Sequence, residues 1–168
     1  FYKLYSTESQ TKGNFKNVVS HDSSLLVVPS TQTSFVPLSS FSFMDCQAKN
    51  YVIQNFNPNF EIKNSVIKCD SGETNAFGAI QILSFGTTSI INTRFINLNK
   101  DSIINYNHAN KATSDNSITI DDCRFEICYG CCIYLNVESE SLDNIHIDGC
   151  TFDSCKKGTD QSMAVGDA

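Results

Sequence analysis

Tryptophan is absent from the 168 residues, and proline occurs only three times. Few prolines suit central strands, each of which needs its N–H for a neighbour. Runs of Lys or Arg are also missing: twelve basic residues stand against eighteen acidic ones, for a net charge of -6. Such a chain has no electrostatic footprint for nucleic acid. Its longest apolar stretches are a few residues, too short to span a membrane. There is no basic leader followed by an apolar run, and the chain begins at Phe1, which predicts a processed protein or an excised piece of one. None of the seventeen asparagines opens an Asn-X-Ser/Thr sequon, although chance would supply about three. P-loop, zinc-protease and serine-elbow motifs are absent as well.

What remains is a chain of about one domain's length, 40% apolar, with eight cysteines. The cysteines lie in a repeat. Leu38–Cys46, Ile62–Cys69, Ile90–Leu98, Ile120–Cys128 and Ile147–Cys155 share an apolar residue, a large apolar residue five later, then Cys or Leu. The second copy is one residue short. Successive copies start 24, 28, 30 and 27 residues apart, a period in the solenoid range. Within a copy, alternation as in Ile118 and Ile120 predicts a short strand. A bend follows at Asn64, Asn92, Asp122 or Gly149. A second strand then carries Cys123, Phe125 and Ile127 with period two. A third follows each copy, at Tyr51–Ile53, Ala79–Leu83, Ser102–Tyr106, Cys132–Leu135 and Met163–Val165. Length variation falls in loops 70–77, 107–117, 136–144 and 156–161.

Three strands per period, with no helical periodicity, predict an all-β chain built as a parallel β-helix. Leucine-rich repeats would need regular leucines, whereas isoleucine dominates here. A sandwich would need hairpin dipeptides, and the single Asp148-Gly149 is already the bend of its copy. Stacked coils turn equivalent residues into ladders about 4.8 Å apart. Phe43, Ile67, Phe95, Phe125 and Phe152 form one inward ladder; Ile62, Ile90, Ile120 and Ile147 form another. Cys46, Cys69, Leu98, Cys128 and Cys155 form a third. Leu98 in that column shows that size and apolarity suffice there, so these cysteines read as buried free thiols. Disulfides along a ladder would stretch the usual Cβ separation of about 3.8 Å. Cys131 and Cys132 point to opposite faces, leaving one to be exposed or paired. Cys128-x-x-Cys131 has ligand spacing but no second pair or histidine to complete a zinc site, so neither a metal nor a cofactor is expected. His146 sits on an outward strand position; His21 and His108 have no nucleophile pattern around them.

Stacked charges on the outer face are the candidate catalytic groups: Asp121 with Asp148, Glu126 with Asp153, and Arg94 with Arg124. Close carboxylates can split their pKa values and share acid and base work. The repeat also creates such pairs automatically, and solvated pairs do little.

The copies Ile120–Cys128 and Ile147–Cys155 resemble repeats of right-handed parallel β-helix proteins of the pectin-lyase-like superfamily. The closer likeness is to polymorphic outer-membrane-protein-like repeats of large surface proteins. Gly78-Ala-Ile-Gln-Ile82 looks like a divergent form of the Gly-Gly-Ala-Ile segment in those repeats. The resemblance implies a right-handed, single-stranded solenoid of about five to six coils over residues 38–168, continuing beyond the chain end. Residues 1–37 are then an opening coil or cap. Polysaccharide lyases and hydrolases belong to this superfamily, but their Asn-Thr-Asp, paired-Asp, Gly-His and pectate-lyase Arg motifs are absent. The expectation is therefore a non-catalytic module presenting its loops and outer face to protein or glycan partners, or to further coils at its ends. A polysaccharide-active enzyme using the outer-face carboxylates is the alternative. The resemblance favours the cell surface or exterior; missing sequons and free cysteines favour an intracellular assembly.

Overall fold

The structure is a computed structural model that describes residues 2–3, 12–21, 23–30, 36–69, 78–84, 86–108, 116–137 and 144–156. The expected strand Met163–Val165 and most of the four variable loops lie outside these residues. In chain order the opening strands are β1 (Tyr2–Lys3), β2 (Asn14–Lys16), β3 (Val19–Ser20) and β4 (Leu26–Val28). The next coils contribute β5 (Val36–Ser39), β6 (Ser42–Met44), β7 (Gln47–Ala48), β8 (Tyr51–Asn55), β9 (Asn59–Lys63) and β10 (Val66–Lys68). There follow β11 (Gly78–Ile82), β12 (Thr87–Ile91), β13 (Arg94–Ile96) and β14 (Asn99–His108). Last come β15 (Ser117–Asp121), β16 (Arg124–Glu126), β17 (Tyr129–Val137), β18 (Asn144–Asp148) and β19 (Thr151–Asp153).

Every pairing among them is parallel and joins strands one coil apart. A first sheet runs β1-β4-β8-β11-β14-β17, a second β5-β9-β12-β15-β18, and a third β2-β6-β10-β13-β16-β19. The chain is an all-β parallel solenoid with three faces. The predicted ladders are in register, Ile62, Ile90, Ile120 and Ile147 on the second sheet and Phe43, Ile67, Phe95, Phe125 and Phe152 on the third, and the structure extends them by Leu38 and Phe15. Ring centroids of Phe95 and Phe125, and of Phe125 and Phe152, are 4.9 Å apart. That is the strand spacing itself, so the backbone sets the ring stacking.

Two corners per coil explain how three-residue strands stay in register. Between the second and third sheets, Ser40, Asn64, Asn92, Asp122 and Gly149 all adopt positive φ, between 44° and 60°. After the third sheet, Asn17, Asp45, Asn97, Ile127 and Ser154 do so at 51° to 55°. Before the last described coil, each left-handed corner residue aims its N–H at the next coil: Asn64 N donates to Ile91 O, Asn92 N to Asp121 O, and Asn97 N to Glu126 O. Asn and Asp tolerate this conformation best among residues with a Cβ. Asparagine further cross-links coils through its side chain, as from Asn92 Nδ2 to Asn64 Oδ1 (2.7 Å). At the corner between the first and second sheets, buried Asn57 caps the chain by accepting from Asn59 N, at 2.8 Å. Corner geometry thus accounts for Asn17, Asn57, Asn64, Asn92 and Asn97.

The second corner also corrects one sequence expectation. Ile127 does not continue the inward alternation of Cys123 and Phe125: β16 ends at Glu126, and Ile127 turns outward, 47% exposed. The left-handed residue reverses the parity, which is why Cys128, three after Phe125, faces inward. Cys69 arrives one residue early, so its own N–H takes the corner bond, to Ile96 O.

All eight cysteines are free thiols. They are more than small hydrophobes. Cys128 Sγ donates to Phe95 O and Glu126 O, both at 3.5 Å; Cys46 and Cys155 repeat the pattern with Phe15 O and Phe125 O. Cys123 occupies the column of Ser65 and Thr93, and like them donates to the carbonyl two residues back. A thiol satisfies corner carbonyls that an alkyl side chain would leave bare.

One glycine makes a longer connection. Tyr51 reaches across Gly78 to place its hydroxyl 2.9 Å from Ser102 Oγ, two coils away. A Cβ at Gly78 would lie 2.0 Å from Tyr51 Cε1.

The corners bear on stability in two measurable ways. Ile127→Asn should raise unfolding free energy by about 1 kcal/mol, because asparagine tolerates the left-handed conformation better than a β-branched residue, measured by urea denaturation. Burial pushes the Cys123 thiol up to about 12 from an ordinary 9.0. The folded state therefore retains a proton that the unfolded chain sheds, and stability falls as pH rises from 9 through 12. Cys123→Thr, which copies Thr93 of the same column, should fold at neutral pH and show a shallower alkaline fall in denaturation midpoint than the parent chain.

Candidate functional site

The six outer-face candidates separate into two groups. Asp121 and Asp148 pair in register at the ends of β15 and β18 on the second sheet. The other four lie on the third sheet, where Arg94 is in register with Arg124, and Glu126 with Asp153. Strand alternation turns them outward because Phe95, Phe125 and Phe152 between them point in.

Side chains on the third sheet interlock diagonally. Glu126 Oε1 accepts from Arg94 Nε at 3.0 Å and from Arg94 Nη2 at 2.8 Å. Arg124 Nε approaches the same oxygen at 3.2 Å, and Arg124 Nη2 lies 3.7 Å from Asp153 Oδ2. The result is a chain of alternating charge, Arg94–Glu126–Arg124–Asp153, that ties three coils together. Stacked like charges are thereby converted into mutually neutralising pairs. The two guanidinium groups are about half exposed, which limits what each pair contributes to stability.

This arrangement joins four of the predicted residues and leaves Asp121 and Asp148 on a different face. Asp121 serves the corner through its backbone, its carbonyl accepting from Asn92 N and Cys123 Sγ. His146 lies exposed on β18, opposite Thr119. Among the described residues no group of three or more His, Cys, Asp and Glu side chains is placed to hold a metal ion. No helix of the described residues is long and apolar enough to cross a membrane.

A different feature lies at the end of the ladders, where contact with further coils is expected from the repeat. The ladders run on to the last described coil, where β18 and β19 each end their sheets. Ile118, Ile120 and Phe125 are fully buried, whereas their successors Ile145, Ile147 and Phe152 are 44%, 43% and 54% exposed. Full burial of one such side chain contributes about 1.5–3 kcal/mol. The three together leave on the order of 3 kcal/mol unrealised. An edge of backbone N–H and C=O groups accompanies them. At the opposite end β2 closes the third sheet with Phe15 in the same column and exposed Lys16 beside it.

The ion-pair chain makes a direct prediction. Glu126→Ala leaves Arg94 and Arg124 adjacent without their shared carboxylate, and should lower stability by no more than about 1 kcal/mol at low salt. Denaturation with and without added salt checks this, the difference shrinking as salt screens the two cations. In comparisons with known proteins, no family model, curated protein or solved structure matches the chain.

Proposed function

We propose that the chain is a non-catalytic interaction module, a rigid segment of a larger surface or assembly protein that works through its coil ends. In this reading it is a right-handed parallel β-helix of about five to six coils, of the kind found in pectin-lyase-like surface repeats. The observation that carries the proposal is the end of the ladders at Ile145, Ile147 and Phe152, which are about half exposed and have no further strand beside them among the described residues. The occupant that fits is another parallel coil with the same columns. On the third sheet, continuing the register from β19 onto β2 of a second copy would set Phe15 on Phe152 and Lys16 against Asp153, while β18 meets no described strand there because the second sheet begins at β5. The column repeats its spacing, and the charges are opposite. Such a head-to-tail contact does not close on itself, so it builds rods. The surface-repeat resemblance favours a setting at the cell surface or outside.

Sedimentation velocity from micromolar to millimolar concentration tests the proposal. The expected result is concentration-dependent growth in mass that Phe152→Asp abolishes while leaving the circular-dichroism spectrum unchanged. A chain that stays monomeric throughout overturns it. So does cleavage of an acidic polysaccharide that is lost in Glu126→Gln, which would assign the outer-face carboxylates to catalysis.

A further inference from the structure

The three outer faces differ in charge. On the third sheet Arg94, Arg124, Glu126 and Asp153 interlock. On the second, Lys63 pairs with Glu61 at 2.8 Å, in the column that Asp121 and Asp148 continue. On the first sheet, Ile53, Ile80 and Ile104 form a buried inward column. Alternation turns the next column out, and from β8 to β17 it holds Gln54, Gln81, Asn105 and Tyr134. Two residues along, Phe56, Leu83, Asn107 and Asn136 stand outward again. Over these four coils neither column holds a charged residue, on a chain whose net charge is -6. The side chains bond through amides instead. Gln54 Nε2 donates to Gln81 Oε1 at 2.9 Å, and Asn136 Nδ2 to Asn107 Oδ1 at 3.0 Å. After Gln81 the first of these ladders stops, because Asn105 Nδ2 turns to Tyr51 Oη and Ser102 Oγ, both at 3.0 Å.

We propose that the outer face of the first sheet docks on the same face of a second copy, pairing two solenoids side by side. Two acidic chains repel, so identical copies approach at least cost through a face without charge. Interface cores are likewise poor in charge and rich in Tyr and Phe. A two-fold contact must also be self-complementary. Amides meet that demand, because each carries both a donor and an acceptor. With the two-fold axis along the strands, between the coils of Gln81 and Asn105, each column lies on its own copy with coil order reversed. Gln81 then faces Asn105 of the second copy, where the ladder is interrupted, and Gln54 faces Tyr134. Four coils about 4.8 Å apart and five residues of about 3.3 Å make a face of roughly 300 Å². A stable complex buries about 800 Å² on each partner, so one pair of chains holds too weakly to change the sedimenting mass of free chains. Chains joined end to end present the face repeatedly, and avidity then pairs the rods. That last step rests on the end-to-end reading; the face itself does not.

The test follows the full chain carrying Phe152→Asp, which blocks the coil end, by nuclear magnetic resonance from micromolar to several millimolar concentration. The expected result is a progressive shift of the Gln54, Gln81 and Asn136 side-chain amide signals, while Ser89 and Thr119 on the second sheet stay fixed. Gln81→Lys should remove the shift, and Thr119→Lys should leave it. Asn136→Lys replaces Gln81→Lys if that variant does not fold. Electron microscopy of the chain without Phe152→Asp should show paired rods, and single rods once Gln81→Lys is introduced. Signals that do not move with concentration, that move equally on all three sheets, or that still move in Gln81→Lys overturn the proposal. So do unpaired rods, and so do shifts that appear in dilute chain on adding a neutral polysaccharide such as dextran and not with chain concentration. Absence of rods altogether overturns the end-to-end reading alone, and the resonance shifts still decide the face.

Discussion

The constraint on which the rest depends is the parallel hydrogen-bonded register from one coil to the next. A strand of three residues such as β13 cannot hold its place by itself. It is held because each coil turns at the same two left-handed corners, whose N–H groups donate forward to the neighbouring coil. Once that register is set, every position becomes a column. Interior columns must be apolar or must satisfy the corner carbonyls, and outer columns must avoid stacking like charges without relief.

The cysteines show how this constraint selects chemistry. Cysteine fits the narrow interior like a small hydrophobe, yet it donates weakly to carbonyls that a leucine cannot reach. That accounts for thiols in two separate columns, one shared with Ser65 and Thr93 and the other with Leu98.

The outer face follows the same logic. Repetition places Arg beside Arg and Glu beside Asp, which would repel if the side chains stood straight out. Long side chains lean diagonally instead, and Glu126 collects both guanidinium groups. The cations and carboxylates are occupied with one another, and Asp121 and Asp148 belong to another sheet. At the last described coil, half-exposed Ile and Phe stand beside strand edges with no neighbour among the described residues.

Periodicity alone determined the solenoid, the identity of the Phe and Ile columns, and the bends at Asn64, Asn92, Asp122 and Gly149, because a column is a statement about spacing and spacing is written in the chain. Pairing of Arg94 with Glu126 could not be read there, since it depends on how far side chains lean across strands. Nor could the outward turn of Ile127, where the left-handed corner overrides simple alternation. These features are decided in three dimensions, because a backbone reversal of one residue changes the face that every later side chain meets. The lack of proline and tryptophan, by contrast, was a property of the coil from the start: strands bonded on both edges need every N–H, and a narrow interior has no room for an indole.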